Sequence, residues 1–242
     1  MTVLLLAGSG EAMRLAAALD AAKIPAIASL AGATRDPNPL PLATHRGGFG
    51  GADGFVAFLE SRQITAVVDA THPFAARITD RTARMCAQRG LPYLQVLRPA
   101  WTPQEGDVWT TIQREEDAAA HVTPGQVVFL GTGRQTLERF ANLPAGRVIC
   151  RRIDPPRGPF PFAGGEYLVG RPPFPVADEV ALFRALAVDW LIVKNAGGAA
   201  SATKLTAARE LGIPVLMIAR PPMPDAARVG TVDAAMAWIA AL

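Results

Sequence analysis

The residues VVFLGTGRQTLERF, 127–140, run an apolar segment into a Gly-x-Gly turn and on into a stretch with helical spacing. A turn of this kind offers free backbone N–H groups and the positive end of a helix dipole, which suits a phosphate. A similar stretch, LLLAGSGEAMRLAAAL, lies at 4–19. Neither has the third glycine of a full dinucleotide fingerprint, since Arg134-Gln135-Thr136 and Glu11-Ala12-Met13 stand where it would come. The discriminating place is about 20 residues on, where an acid would hold a ribose hydroxyl and an arginine a 2′-phosphate. After Gly133 it holds Arg151-Arg152, and after Gly10 the uncharged Ser29-Leu30. Gly131, Thr132, Gly133, Arg134 and Gln135 are therefore expected to bind a dinucleotide together with Arg151 and Arg152, with NADP(H) favoured over NAD(H). Glu11 would repel a pyrophosphate, which leaves Ser9, Gly10, Glu11 and Arg14 for a second ligand.

Two further groups fall where strands should end. DATHPFA, 69–75, points Thr71 and His72 toward the same edge, with Pro73 at an early helical position. His72 can exchange a proton near neutral pH, although a lone histidine equally serves as a cap or packing residue. KNAGG, 194–198, delivers Lys194 behind Leu191, Ile192 and Val193, and the small turn with Asn195, Gly197 and Gly198 lets a ring or phosphate approach the backbone. Lys194 is a candidate for binding a carboxylate or protonating a reduced substrate, and Lys204 follows in the next helix. The chain uses lysine three times against 21 arginines, which makes an idle lysine at that edge less expected. Tyr93 is followed four residues on by Leu97 and Tyr167 by Arg171, so no Tyr-x-x-x-Lys proton relay exists. A Gly-x-Ser-x-Gly elbow and a Walker loop are also absent.

The elements that must position these groups alternate between apolar runs and helical patterns, which argues for parallel β-α units. Two halves align. AVVDATHPFAA at 66–76 matches LIVKNAGGAAS at 191–201, and GLPYLQVLRP at 90–99 matches GIPVLMIARP at 212–221. Gly8 and Gly90 stand 82 residues apart, Gly131 and Gly212 81. The expected fold is α/β, with two Rossmann-like doubly wound parallel-sheet domains related by an internal repeat and an active site in the cleft between them. Residues 1–100 would form the substrate side and 107–242 the NADP(H)-binding domain, joined by the turn-rich linker Pro99 to Gly106.

The composition narrows the function. The formal charge of +3 is carried mainly by arginine, which suits bidentate capture of an anionic ligand. Basic residues are scattered, so nucleic acid is not an expected partner. Half the residues are apolar but no run reaches the roughly 20 residues of a membrane span, and no positive n-region of a signal peptide precedes the first strand. The cytoplasm is the default location. Cys86 and Cys150 lack metal-ligand or disulfide spacing, and no metal is expected. Arg35, Arg77, Arg98 and Arg220 lie near strand ends or linkers.

With LLLAGSGEAMRLA, VVDATHPFA followed by GLPYLQVLRPAW, VVFLGTGRQTL, and KNAGGAASATKLTAARELGIPVLMIARP, the chain resembles the precorrin-6A reductases of cobalamin biosynthesis from end to end. LAGSGEA departs from the Gly-Gly-Thr expected before Glu, but Ala7 and Ser9 are small enough to keep the loop. The resemblance implies a nicotinamide-dependent oxidoreductase acting on a CH–CH type bond, converting precorrin-6A to precorrin-6B, and the Arg151-Arg152 reading makes the expected cofactor NADPH. It further implies a polycarboxylate tetrapyrrole substrate, with Ser9, Gly10, Glu11, Arg14, Thr71, His72 and Lys204 on the substrate side and Lys194 and His72 as catalytic candidates. A conjugated imine system in place of a ketone suits the missing Tyr-x-x-x-Lys pair. The alternatives are the cobalt-bearing, NADH-linked branch of the same chemistry and a two-domain small-molecule binding protein without catalysis.

Overall fold

The runs VLLL, AVVD, VVFL and VLMI are too short for stable helices, and each is buried almost throughout as an inner strand of a parallel sheet. The computed structural model describes residues 1–32 and 38–242, so Arg35 lies outside the described residues. It divides into two compact units: Met1–Pro99 with Pro221–Leu242, and Ala100–Arg220.

In the first unit the strands are β1 (Val3–Leu6), β2 (Ala26–Leu30), β3 (Ala43–Arg46), β4 (Ala66–Asp69) and β5 (Tyr93–Val96), joined by β12 (Arg228–Val229) from the end of the chain. Their order is β3-β2-β1-β4-β5-β12, every pair parallel, which is a doubly wound sheet. The pleat splits β1 between two cores. Val3 and Leu5 pack with α1 (Gly10–Ala21) and α6 (Val232–Ala240). Leu4 and Leu6 pack with α2 (Gly51–Ser61) and α3 (Ala76–Gln88).

The second unit repeats the plan with β6 (Trp109–Ile112), β7 (Val127–Leu130), β8 (Arg147–Arg152), β9 (Gly165–Val169), β10 (Trp190–Lys194) and β11 (Val215–Ile218), in the order β9-β8-β7-β10-β11-β6 and all parallel. Helices α4 (Val176–Leu186) and α5 (Thr203–Leu211) share one core, with Phe129, Ile149, Phe183 and Leu205 inside it. The sixth place is filled reciprocally. After β5 the chain lays β6 beside β11, and after β11 it lays β12 beside β5.

This reciprocity corrects the second expected domain, 107–242. Residues 221–242 complete the first unit, because Ala235 and Ile239 are buried with Leu15 and Leu19 of α1. The stretch from Ala100 to Gly106 belongs to the second unit rather than to a free linker. The patterns EEDAAAHV and TLERFAN form only 3₁₀ turns, at Glu115–Ala120 and Leu137–Phe140. Thr123-Pro124-Gly125 and Pro144-Ala145-Gly146 stop them early. Pro73 sits in a turn closed by the Ala75 N–H donating to His72 O (2.7 Å), and α3 starts only at Ala76. Among the described residues no helix is long and apolar enough to cross a membrane.

Ile239 tests the correction, since it is 1% exposed whereas Leu242 is 53% exposed. Ile239→Ala is expected to lower stability in urea unfolding by about 2–4 kcal/mol, and Leu242→Ala by less than about 0.5 kcal/mol.

Candidate active site

The second Gly-x-Gly turn leaves β7 at its carboxyl end. A Cβ on Gly131 would crowd Val193 Cγ1 at 3.0 Å and the Lys204 stem at 3.4 Å. Lys204 therefore lies against this loop, within the second unit. Its ammonium donates to Ser201 O (2.5 Å) and stands 5.7 Å from the Trp101 ring. Burial pushes the amine down to about 8, with Glu179 pulling it up and Arg151 pushing it further down. The 3₁₀ turn after the loop is too short to supply a helix dipole, so a phosphate here would be met by loop N–H groups and side chains. Arg134 and Gln135 are exposed.

The two arginines closing β8 have unlike surroundings. Arg151 is 9% exposed and makes a bidentate pair with Glu179, Nη1 to Oε1 at 2.7 Å and Nη2 to Oε2. Its guanidinium sits 4.8 Å from the Phe129 ring and 4.3 Å from Phe174, on the α4 face of the sheet. Arg152, one residue on, has the opposite face. Its guanidinium lies 4.9 Å from the Tyr167 ring, and Cys150 on the same face approaches Gly133 O at 3.9 Å. Arg152 thus lies on the face that Gly133 O approaches, whereas Gly131 abuts Val193 and Lys204 on the Arg151 side. Among the described residues no carboxylate pairs with Arg152; Thr132 Oγ1 and the Nε of both arginines are buried without a hydrogen-bond partner. An arginine without a countercharge and an unsatisfied hydroxyl at a glycine turn fit a phosphorylated dinucleotide. Arg151, expected alongside them, is committed to Glu179.

The end of β10 is tied into its own unit. Lys194 Nζ donates to Thr136 Oγ1 (3.0 Å) and pairs with Glu115 Oε1 (3.4 Å), with the lysine side chain 11% exposed. Burial drives the lysine down while Glu115 pulls it back up. Burial likewise opposes the Glu115 charge, but Thr136, its own backbone and Lys194 hold the carboxyl below the usual range. Asn195 clamps Trp101 by accepting from its N–H (2.8 Å) and donating to its carbonyl (2.9 Å). Trp101 Nε1 donates to Gly198 O (3.0 Å), and Arg220 donates to Asn195 O (2.9 Å) and Ala196 O (3.1 Å). Gly197 and Gly198, both at positive φ, complete this turn.

In the first unit Ser9 caps α1, accepting from Ala12 N–H (3.2 Å), and donates to Ala70 O (2.7 Å). That bond ties Gly8-Ser9-Gly10 to the Thr71-His72 turn, and a Cβ on Gly8 would lie 3.8 Å from His72 N. Glu11 takes Arg98 (2.5 Å) and Arg14 (3.0 Å). Burial disfavours its charge, but its backbone N–H and the two guanidinium groups outweigh that and keep the carboxyl below the usual range. The α1 N-terminus thus already carries an anion. Asp69, 1% exposed, accepts from Thr71 N–H (3.0 Å) and Tyr93 OH (3.0 Å) and so shapes the turn. His72 Nδ1 accepts from Phe74 N–H (3.2 Å), which leaves the proton of the neutral ring on Nε2. Arg77 is exposed on α3.

Glu115, Thr136, Glu179, Asp69 and Tyr93 were not singled out from the sequence. Glu115 and Glu179 stand among other acids in EEDAAAHV and VADEVALF, and only the packing shows each facing a buried cation. Trp101 lay within a quoted motif, but its partner is 94 residues away.

A family model described as precorrin-6x reductase CbiJ/CobK matches residues 2–240. The precorrin-6A reductase of Rhodococcus erythropolis is 46% identical over 244 residues, covering 99% of this chain and 98% of the relative. The precorrin-6A reductase of Mycobacterium tuberculosis (strain ATCC 25618 / H37Rv) is 42% identical over 243 residues, with 99% and 98% covered. A cobalt-precorrin-6A reductase of Methanothermobacter thermautotrophicus is 30% identical over 91% of this chain and 77% of its own. A solved structure described as CobK precorrin-6A reductase superposes with a TM-score of 0.95 at 38% identity, covering all of this chain and 96% of that one.

Arg151→Ala leaves Glu179 buried without a countercharge and is expected to cost about 3–5 kcal/mol in urea unfolding. Arg152→Ala is expected to cost less than about 1 kcal/mol. Equal losses in the two variants would contradict the assignment of Arg151 to structure.

Proposed function

The chain belongs to the precorrin-6x reductase family, and from that premise we propose that it reduces one macrocycle double bond of metal-free precorrin-6A in the cytoplasm, using NADPH and giving precorrin-6B. Membership makes it an oxidoreductase with a nicotinamide cofactor and a precorrin tetrapyrrole substrate. The metal-free branch is favoured because the relatives named for precorrin-6A are 46% and 42% identical, against 30% for one named for the cobalt form.

NADPH is supported by one observation above the rest: Arg152, on the side of β8 that Gly133 O approaches, has no carboxylate on its guanidinium among the described residues, whereas Arg151 is paired with Glu179. The Gly131–Gly133 backbone and the Thr132 hydroxyl would meet the diphosphate, with Arg134 and Lys204 adding positive charge and Arg152 the contact to the 2′-phosphate. When bound, the nicotinamide supplies a hydride to a carbon of the macrocycle. Lys194 anchors Thr136 behind the turn and keeps its shape. On the substrate side, Ser9, Gly10 and Thr71 offer a turn for a substrate carboxylate, and Arg14, 65% exposed at its side chain, is the accessible cation there. His72 stands beside the same turn, its backbone N 3.8 Å from where a Gly8 Cβ would lie. The electron pair displaced by the hydride settles on a ring nitrogen, which takes up a proton from solvent to complete the reduction, so positioning carries most of the rate.

Fluorescence titration of wild type with NADPH and NADH is the test. A preference for NADPH of about tenfold or more, about 1.4 kcal/mol, that collapses in Arg152→Ala and survives in a folded Arg151→Met/Glu179→Leu variant is expected. Conversion of precorrin-6A with NADPH would then be assayed. Binding of neither nucleotide would remove the cofactor assignment. Lys204 adds a pH dependence. The free amine loses its proton as pH rises through about 8, so NADPH affinity should fall above that pH, and Lys204→Met should flatten the profile.

A further inference from the structure

Arg152 stands beside an aromatic platform outside every motif discussed above. Between β8 and β9 the chain runs through IDPPRGPFPFAG, residues 153–164, and sets Phe160 against β9, with Phe162 packed on Phe160. The Phe160 ring lies 4.8 Å from Tyr167 and 4.8 Å from Phe162, the latter edge-on. Phe160 reaches this seat only because residue 165 is glycine: a Cβ there would fall 1.9 Å from Phe160 Cδ1. Tyr167 pairs with Cys150 in the β8–β9 register, so its ring leaves the sheet on the side of Cys150, Arg152 and Gly133 O. The guanidinium of Arg152 then lies 4.9 Å from the Tyr167 ring centroid.

A long, flexible arginine without a carboxylate partner would sample many rotamers and lose much of the affinity of a phosphate contact to ordering. An aromatic face restrains the guanidinium plane without neutralising it, so its charge and N–H groups stay available to an anion. A carboxylate in the same place would consume the charge, as Glu179 does for Arg151.

Building on the reading of Arg152 as the 2′-phosphate contact, we propose that Tyr167, braced by Phe160, is the positioning residue that orients Arg152 and thereby sets the preference for NADPH over NADH. Gly165 is part of the device because it admits the brace. The contribution is to specificity, since NADH has no group for Arg152 to meet.

The experiment is fluorescence titration with NADPH and with NADH on wild type, Tyr167→Phe, Tyr167→Leu, Gly165→Ala and Arg152→Ala, with thermal unfolding run alongside. Tyr167→Leu should weaken NADPH by about fivefold or more and leave NADH within about twofold. Tyr167→Phe should retain the wild-type ratio, because the ring face and not the hydroxyl does the restraining. Gly165→Ala, which keeps Tyr167 but displaces Phe160, should lower the ratio in the same direction and remains informative if Tyr167→Leu does not fold. Loss of discrimination in Arg152→Ala with full discrimination in Tyr167→Leu and Gly165→Ala would overturn the proposal while leaving the cofactor site intact. Equal weakening of both nucleotides in Tyr167→Leu would also overturn it, making the ring structural only. Wild-type-like discrimination in Arg152→Ala would overturn the cofactor reading, and the proposal with it.

Discussion

Parallel pairing is the constraint on which the rest depends. Every strand pairing among the described residues is parallel, so within each sheet all carboxyl ends fall on one edge and each return must cross over outside the sheet. The crossovers bury the sheet faces, which makes the inner strands apolar along their length and pushes polar side chains to the ends. Asp69, Lys194 and the Arg151-Arg152 pair all stand at such ends, beside turns whose backbone is not used in the ladder.

The pleat then gives neighbouring residues unlike fates. Arg151 and Arg152 are chemically identical, yet one residue of offset sends the first under α4 and the second to the face that Gly133 O approaches. For a guanidinium under a helix, desolvation decides: it is tolerable only with a bidentate carboxylate and flanking rings, and Glu179, Phe129 and Phe174 supply both. On the other face, Tyr167 gives contact without countercharge. Lys194 illustrates the same logic, since a strand-end lysine that looks like a reagent is held by Glu115 and Thr136 as a tie between the 3₁₀ turns and the sheet.

The inner strands, the two glycine turns and the repeat were legible because each is a local pattern. The strands that sequence reading omitted are β3, β6, β9 and β12, and all four lie at sheet edges. Edge strands such as ATHR and RV are largely exposed, so they carry no apolar run to read. TLERFAN has a helical pattern but too few residues before Pro144 to continue it. Within the site, Gly131–Gly133, Arg152 and the Thr71-His72 turn were visible from spacing. The partners of Arg151, Lys194 and Asn195 were not, because Glu179, Glu115 and Trp101 lie 28, 79 and 94 residues from them and only the topology unites them. The same holds for the domain boundary, which composition placed near Pro99 but could not follow back to the first unit after Arg220.

The exchanged sixth strands also fix an order of events during synthesis. Residues 100–220 contain everything the second sheet needs, in one continuous stretch. The first sheet waits for a strand whose partner was made 133 residues earlier, Arg228 against Gln95. On the ribosome the unit begun first is therefore finished last, and its β5 edge and the α1 surface that receives Ile239 stay open while the second unit closes. The nascent chain thus passes through a state with one complete parallel sheet and one unfinished sheet whose α1 face is still uncovered.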